Sequence, residues 1–187
     1  TGCIGDAQGG GFFPAEMKFS GFDAVIIKGK SPKQVYLWMH HGEAELRDAG
    51  HLWGMTTGDA EDKLKEELED KRIEVLQIGP AGENLVRFAA LISMSNRANG
   101  RTGMGAVMGS KNLKAVVVRG KQKPSIARPE TFKELQKWGT ANLEATGMDG
   151  FGKYGTPGET TSQNKAGGLP TYNFNSGTFD KHEKIDG

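Results

Sequence analysis

The sequence predicts an α+β fold in which β-sheets form a platform that carries a few helices. Short runs rich in β-branched and aromatic residues predict strands, most clearly at residues 34–40 and 113–119. The charged segment at residues 59–71 has the apolar spacing of an amphipathic helix. Because strands and helices fall in separate runs, we expect the α+β class.

Three strands are predicted near the start of the chain. Residues 23–28 (DAVIIK) and 34–40 (QVYLWMH) are rich in β-branched and aromatic side chains. The Gly-Lys-Ser-Pro sequence at 29–32 has the composition of a turn between them. Residues 44–48 alternate polar and apolar side chains and form the third predicted strand, after a turn at 41–42.

The predicted helix at 59–71 is the clearest one in the sequence. Ala60, Leu64 and Leu68 have the spacing of a single apolar face. Acidic residues dominate its first turn and basic residues follow its last, which suits the helix dipole.

Beyond this helix the sequence predicts two further strands and an extended apolar segment. Residues 73–78 form a predicted strand, and Gly-Pro-Ala-Gly at 79–82 predicts a turn. Residues 84–94 are largely apolar and are expected to be extended. Residues 113–119 form the last predicted strand.

The composition changes after residue 120. A helix is predicted at 129–142, with its proline in the first turn and with Phe132, Leu135 and Trp138 on the inner face. Glycine, threonine, asparagine and lysine dominate residues 147–187, so loops are expected there.

Composition and charge exclude several classes of protein. The 187 residues carry a formal net charge of +1, without the basic excess of a general nucleic-acid binder. No apolar run approaches the roughly 20 residues that cross a membrane, and the first residues lack the pattern of a signal peptide. Cys3 is the only cysteine, which excludes an intrachain disulfide and a cysteine-ligated cluster within these residues. We therefore expect a cytoplasmic protein that binds neither nucleic acid nor membrane.

A glycine-rich basic stretch at residues 96–114 is the most informative part of the sequence. It holds four glycines, two arginines and two lysines, directly before a run of valines. Glycines let a ligand approach the main chain closely, and arginine forks suit phosphate. Arg97 and Arg101 would share a face if this part were helical. The pattern predicts a scaffold for an anionic, phosphate-bearing ligand.

Two common phosphate motifs are absent from this stretch. A Walker A loop requires Gly-Lys-Ser/Thr, but Gly109 is followed by Ser110 and Lys111 in the reverse order. A dinucleotide fingerprint requires G-x-G-x-x-G, and Gly103, Gly105 and Gly109 have one residue too many. A tight glycine turn that leads into a buried strand remains the alternative.

Five ordered blocks of the sequence resemble the N-terminal domain of the aldehyde ferredoxin oxidoreductase family. They lie at residues 10–24, 47–54, 78–90 and 97–114, with the Tyr-Gly-Thr and Asn-Phe landmarks at 154–156 and 173–174. The resemblance implies two β-sheets on which a metallopterin rests. It also implies tungsten or molybdenum held by two pterins, and a magnesium ion (Mg) that bridges the pterin phosphates.

The resemblance further implies an enzyme that oxidises aldehydes to carboxylic acids and passes electrons through a [4Fe–4S] cluster to ferredoxin. Relatives are longer, so we expect a fragment that meets the remaining domains of the same polypeptide and is inactive alone. Residues 1–120 would form the main part of the pterin-binding domain. Residues 121–187 would begin a following helical domain. A homodimer is one assembly that the family allows.

The resemblance assigns roles to five positions, and no catalytic residue lies among them. Gly10, Arg97, Ala98 and Gly100 match positions that contact the pterin and its phosphate. Gln8, together with the main chain of Ala98, would bind the magnesium ion. Gln8 stands where the family usually has Asn, which is one methylene shorter. Asn99, which has no assigned role, stands where the family usually has a small residue.

Three other functions stay open at this point. A low-potential reductase of acyl-CoA aromatic rings could use the same cofactor. A nucleotide-binding module could use the same glycine stretch, and a non-catalytic platform could keep the fold without the metal.

Several other polar residues are expected to be structural. His40, His41 and His51 lack the partners of a metal site, and Glu16 is expected to face solvent or cap a turn. Lys111 and Lys114 are predicted to flank a strand.

Overall fold

The computed structural model describes residues 2–187, which divide into two compact units. The first unit extends to Pro124 and contains a mixed six-stranded sheet, and the second, Ser125–Gly187, contains helices. The α+β class is therefore confirmed. No helix in residues 2–187 is both long and apolar enough to cross a membrane.

The sheet has the strand order β2-β1-β6-β3-β4-β5. Its strands β1 and β6 pair in parallel, and all other neighbours are antiparallel. The strands are β1 (Val35–His40), β2 (Glu43–Asp48), β3 (Glu74–Gln77), β4 (Leu91–Ser93), β5 (Arg97–Asn99) and β6 (Leu113–Arg119).

Within residues 2–187, the first unit contains four α-helices and the second contains three. Those of the first unit are α1 (Phe13–Phe19), α2 (Thr57–Glu67), α3 (Pro80–Glu83) and α4 (Met104–Ser110). Those of the second unit are α5 (Pro129–Ala141), α6 (Met148–Tyr154) and α7 (Thr160–Lys165).

Strand β6 is buried on both of its faces, as its apolar run at residues 115–118 predicts. Ala115 and Val117 belong to one cluster of buried side chains, and Val116 and Val118 belong to another. Helix α2 contributes Leu64 to the first cluster. Phe13 of α1 and Met108 of α4 join the second.

Helix α2 begins and ends where local chemistry dictates. The hydroxyl of Thr56 accepts a hydrogen bond from the backbone N–H of Asp59 at 3.3 Å, which caps the first turn. The helix ends before Glu69, whose φ of 51° is left-handed. The predicted helix at 59–71 is thus confirmed, with its end four residues earlier at Glu67.

The predicted strand at residues 23–28 is wrong. These residues lie outside every ladder, and Val25, Ile26 and Ile27 are 37%, 83% and 38% exposed. β-Branched composition reports a preference for extended backbone, but a strand also requires a neighbour to pair with. Consistent with this, residues 2–187 contain one sheet, where the family resemblance implied two.

Three other local predictions need correction. The predicted turn at 79–82 is a single helical turn, α3. Within the apolar segment at 84–94 only β4 pairs in the sheet. Residues 147–187 contain α6 and α7 as well as loops.

The prediction of an inner face on α5 is also wrong for these residues. Helix α5 itself is confirmed, but Phe132, Leu135 and Trp138 are 45%, 61% and 60% exposed. The spacing specifies an apolar face, and no part of residues 2–187 buries it.

Candidate functional site

An open cleft forms where the start of the chain runs along the last strand of the sheet. Asn99 on β5 donates a hydrogen bond from Nδ2 to the carbonyl oxygen of Ala7 at 2.8 Å. A Cβ atom on Gly11 would lie 3.1 Å from Cγ of Arg97, and one on Gly5 would lie 3.1 Å from Cβ of Thr102. Residues 5–11 and 97–102 therefore run side by side in opposite directions.

The sequence-predicted site residues lie on these two segments but divide between two cavities. Gln8 and Gly100 line one open cleft of about 450 Å³, together with Asp6, Ala7, Arg101 and Thr102. Gly10 and Asn99 line a smaller cavity of about 190 Å³, whose remaining walls are mostly apolar. Arg97 and Ala98 lie on β5 and line neither of these cavities.

The site has room for a ligand at its glycines. A Cβ atom on Gly10 or Gly100 would meet no heavy atom within 4 Å, so these positions border open space. Arg97 is exposed, and its side chain forms no ion pair within the described part of the chain. An uncompensated guanidinium beside open backbone is suited to bind phosphate oxygens. The residues therefore fit a phosphate-bearing cofactor.

The oxygen atoms in the cleft also suit a hard cation. Gln8 offers a side-chain carbonyl at the wall of the cleft, and Asp6 offers a carboxylate at the same wall. Magnesium prefers oxygen ligands and commonly shares them with phosphate. Three or more His, Cys, Asp or Glu side chains do not gather into a metal-binding group anywhere in residues 2–187. A metal at this site would accordingly depend on carbonyl and phosphate oxygens.

The other glycines of the basic stretch allow α4 and its N-terminus to pack closely against residues 82–90. A Cβ atom on Gly109 would overlap the carbonyl oxygen of Gly82, and one on Gly103 would overlap that of Arg87. The backbone N–H of Gly105, in the first turn of α4, donates to the carbonyl oxygen of Ala89 at 2.9 Å. This N–H is therefore not free to bind phosphate, and this part of the stretch gives no support to a nucleotide-binding module.

The two arginines of the stretch do not share a helical face. Arg97 begins β5, and Arg101 lies in the turn that follows this strand, before α4 begins at Met104. Both side chains are exposed, and Arg101 lines the cleft. Their positions are set by the end of an edge strand, which the four-residue spacing could not indicate.

A buried ion pair supports the helices behind the site, and sequence reasoning missed it. Lys114 has no exposed surface and pairs with the carboxylate of Glu83, whose side chain is 3% exposed. Glu83 Oε2 accepts from the N–H of Gly54 at 2.8 Å, and Lys114 Nζ donates to the carbonyl oxygen of Met55 at 3.1 Å. Every charge is thus hydrogen-bonded, which buried charges require. Residues 31 apart in sequence give no spacing signal for such a pair.

Glu16 forms a second ion-pair network instead of facing solvent. Its Oε1 accepts from Arg119 Nη1 at 2.6 Å and from the N–H of Gly120 at 2.8 Å, which joins α1 to the end of β6. Arg119 Nε also donates to Asp70 at 2.6 Å. Burial alone would raise the pKa of Asp70, but the hydrogen bonds from Arg119 and from the backbone of Arg72 outweigh it and hold that pKa below its usual value.

The histidines have structural roles, as predicted. His40 stacks against Trp38, with ring centroids 4.9 Å apart. His51 Nε2 lies 2.8 Å from Glu67, which also accepts from the buried hydroxyl of Tyr36 at 2.7 Å. Burial, followed by the bond to Glu67, raises the pKa of Tyr36 to about 12, so this phenol stays neutral.

Comparison with known proteins identifies the class to which this fold and cleft belong. Residues 1–120 match the family model described as "Aldehyde ferredoxin oxidoreductase, N-terminal domain". The match covers well over half of the chain. The chain therefore belongs to the aldehyde ferredoxin oxidoreductase family, which is a family of oxidoreductases.

Particular relatives agree with this assignment. The chain is 47% identical over 182 residues to the tungsten-containing aldehyde ferredoxin oxidoreductase of Pyrococcus abyssi, a match that covers 96% of the chain. It is 45% identical to the enzyme of the same name from Pyrococcus horikoshii, again over 96% of the chain. In each case the match covers 30% of the relative, so the chain spans less than a third of their length.

A solved structure is similar as well. The active-site complex of benzoyl coenzyme A reductase, determined with 1,5-dienoyl-CoA, matches with a TM-score of 0.70 and 40% identity. The match covers 74% of this chain and 21% of that one.

Proposed function

We propose that this chain is the part of a tungsten- or molybdenum-dependent oxidoreductase that holds the phosphates of a bis-pterin cofactor. The observation that carries the proposal is the cleft between residues 5–11 and β5. Gln8 from the first segment and Gly100 directly after β5 line this cleft, and Arg97 begins β5 with an exposed side chain. Two relatives named as tungsten-containing enzymes support the choice of metal.

Each of the five residues has a distinct role in this proposal. The guanidinium of Arg97 binds a phosphate through charge-assisted hydrogen bonds. Gly10 and Gly100 allow the ligand to approach the backbone, because no protein atom occupies the space beside them. The side-chain oxygen of Gln8 and the main-chain oxygen of Ala98 offer hard ligands to a phosphate-bound magnesium ion. The cofactor, when bound, supplies the two-electron redox chemistry, and these residues bind and orient it.

We further propose that the complete polypeptide oxidises aldehydes to carboxylic acids and reduces ferredoxin. The chain matches only 30% of each aldehyde-oxidising relative, so the substrate pocket and the ligands of a [4Fe–4S] cluster would lie in other domains of the same polypeptide. In that arrangement residues 1–120 are the main part of the pterin-binding domain, and residues 121–187 begin the next one. A cytoplasmic enzyme, monomeric or homodimeric, is consistent with this role.

The first test is elemental analysis of the complete polypeptide, purified without oxygen. The proposal predicts tungsten or molybdenum, together with iron and with phosphorus from the pterin. In the Arg97→Met variant we expect metal affinity to fall by roughly 10- to 100-fold, because a charged hydrogen bond contributes about 1.5–3 kcal/mol. The Arg72→Met variant is the control, since Arg72 is a largely exposed arginine that pairs with Asp70. A folded polypeptide without either metal would contradict the proposal.

A second candidate activity is the low-potential reduction of an aromatic acyl-CoA. It is favoured by the 40% identity and the TM-score of 0.70 to the benzoyl coenzyme A reductase complex. Assays with the purified holoenzyme separate the two activities. Oxidation of aldehydes by the enzyme with a low-potential acceptor supports the first, and reduction of an aromatic acyl-CoA without aldehyde oxidation supports the second.

A further inference from the structure

Asn99 makes the one side-chain hydrogen bond that joins β5 to the start of the chain in the part that the structure describes. Its Nδ2 donates to the carbonyl oxygen of Ala7 at 2.8 Å, between residues 92 apart in sequence. The side chain is only partly exposed, and it lines the cavity that also includes Gly9 and Gly10. The hydrogen bond is therefore shielded from water on one side, and hydrogen bonds are stronger where water is excluded.

Gly9 fits against the same side chain. A Cβ atom on Gly9 would lie 2.8 Å from Oδ1 of Asn99, 3.1 Å from its Cγ and 3.2 Å from its Nδ2. The backbone of Gly9 is not left-handed, so its conformation is open to any residue. Space alone excludes a side chain there, and the atoms that fill this space belong to Asn99.

These two contacts lie on either side of Gln8. Ala7 accepts a hydrogen bond from Asn99, and Gly9 packs against the same side chain. The amide of Asn99 therefore holds the backbone on both sides of Gln8. Gln8 lines the cleft with Gly100, the residue that follows Asn99. The Asn99 amide therefore links the two walls of the cleft on both sides of Gln8.

We infer that Asn99 is a positioning residue for the cofactor cleft. It holds the Ala7–Gly9 backbone against β5, so that Gln8 faces the ligand-binding space from a fixed position. This inference rests on the proposed function and adds to it a residue that contacts no ligand in that proposal. It also explains why residue 9 is a glycine in a chain that has Asn at position 99, since a side chain at position 9 would displace this Asn.

The test uses the complete polypeptide, purified without oxygen, as wild type and as Asn99→Ala. Two quantities are measured: the rate of tungsten or molybdenum release into metal-free buffer, and hydrogen exchange at residues 7–10. Loss of one hydrogen bond corresponds to roughly a two- to tenfold change in a local equilibrium. We expect exchange and metal release to accelerate by about this factor in Asn99→Ala, with the midpoint of thermal unfolding nearly unchanged.

A double-variant cycle separates positioning from general destabilisation. Gly9→Ala alone should accelerate metal release, because the new methyl group forces Asn99 to rotate away from Ala7. In Gly9→Ala/Asn99→Ala the methyl group occupies vacated space, so the double variant should release metal no faster than Asn99→Ala alone. Additive effects of the two substitutions would overturn the inference.

A matched control is available in the same unit. Asn112 donates from Nδ2 to the carbonyl oxygen of Ser31 at 2.8 Å, which is the same kind of bond in a different place. Its φ of 56° makes Asn112→Ala at least as disruptive to the backbone. We expect Asn112→Ala to lower the thermal midpoint without faster exchange at residues 7–10. Equal metal release from both Asn→Ala variants would overturn the inference.

The outcomes also distinguish this inference from the proposed function. A wild-type polypeptide that carries neither metal contradicts the proposed function, and hydrogen exchange then decides the role of Asn99 alone. A wild type loaded with metal whose Asn99→Ala variant behaves identically contradicts the inference and leaves the proposed function standing.

Discussion

The two units of this chain differ in how they cover their apolar side chains. In the sheet unit, clusters on both faces of the sheet bury residues such as Leu64 and Val117 completely. In residues 125–187 every side chain keeps at least partial exposure, and α5 exposes Leu135 and Trp138. Amphipathic spacing thus specifies an apolar face, but only a second layer of structure buries it.

The largest expected effect comes from the buried charge of the sheet unit. Lys114→Met leaves the buried carboxyl group of Glu83 without its charged partner, which should lower the free energy of unfolding by roughly 3–5 kcal/mol. Urea unfolding followed by circular dichroism measures this loss. The double variant Glu83→Leu/Lys114→Met should recover part of it, because no uncompensated charge remains.

The exposed pair Lys133–Glu130 on α5 is the control for this variant. Its atoms are 3.1 Å apart, but the two side chains are 64% and 82% exposed. Lys133→Met should therefore leave unfolding unchanged within error. A Lys114→Met protein as stable as the wild type would show that the buried pair does not hold the sheet unit together.

A pair of leucine substitutions tests the comparison more directly. Leu64 has no exposed surface, so Leu64→Ala should lower the free energy of unfolding by roughly 2–5 kcal/mol. Leu135 is 61% exposed, so Leu135→Ala should change it by less than about 0.5 kcal/mol. Both values come from chemical unfolding of the 187-residue chain. Equal losses would mean that the apolar face of α5 is covered, for instance by self-association.

The smallest expected effect is a pH dependence in the sheet unit. The pKa of Asp70 is lower folded than unfolded, because Arg119 and the backbone of Arg72 stabilise its carboxylate. A lowered pKa stabilises the fold above the unfolded value of about 4, and this contribution is lost as the pH falls through the folded value. As the pH falls below about 5, the free energy of unfolding of Asp70→Asn should therefore decrease by about 1 kcal/mol less than that of the wild type.

Asp186 is the acidic residue of the helical unit that can be compared with Asp70. The hydroxyl of Thr161 lowers the pKa of Asp186, which remains partly exposed to solvent. The sign of its pH dependence is the same as for Asp70, but solvent screens its interactions. Asp186→Asn should therefore leave the acid unfolding profile as it is in the wild type. A larger change for Asp186→Asn than for Asp70→Asn would reverse the comparison.

Much of the fold could be predicted because its elements have strong periodic patterns. The valine-rich run that forms β6 and the charged amphipathic run that forms α2 were both visible in the sequence. Helix α4 was not, since glycines have low helix propensity. It forms because Gly105 and Gly109 let its backbone contact residues 82–90 closely. Tertiary packing outweighed local propensity at this position.

The candidate site was predictable in its residues but not in its assembly. Gln8, Gly10, Arg97 and Gly100 were named from the family resemblance. In the structure Gln8 and Gly100 line one cleft, Gly10 lines a separate cavity, and Arg97 begins β5. The link that joins the two walls is a hydrogen bond of Asn99 across 92 positions. A bond between residues so far apart leaves no periodic signal, so only the folded chain reveals it.

The close contacts of the glycines also constrain how this sequence can diverge. At Gly109 an added methyl group would overlap a backbone oxygen, that of Gly82, so no change of a neighbouring side chain can make room for it. At Gly9 the obstacle is the side chain of Asn99, and a smaller residue there would remove it. We therefore expect Gly109 to be fixed across homologous sequences, and positions 9 and 99 to vary together as a correlated pair.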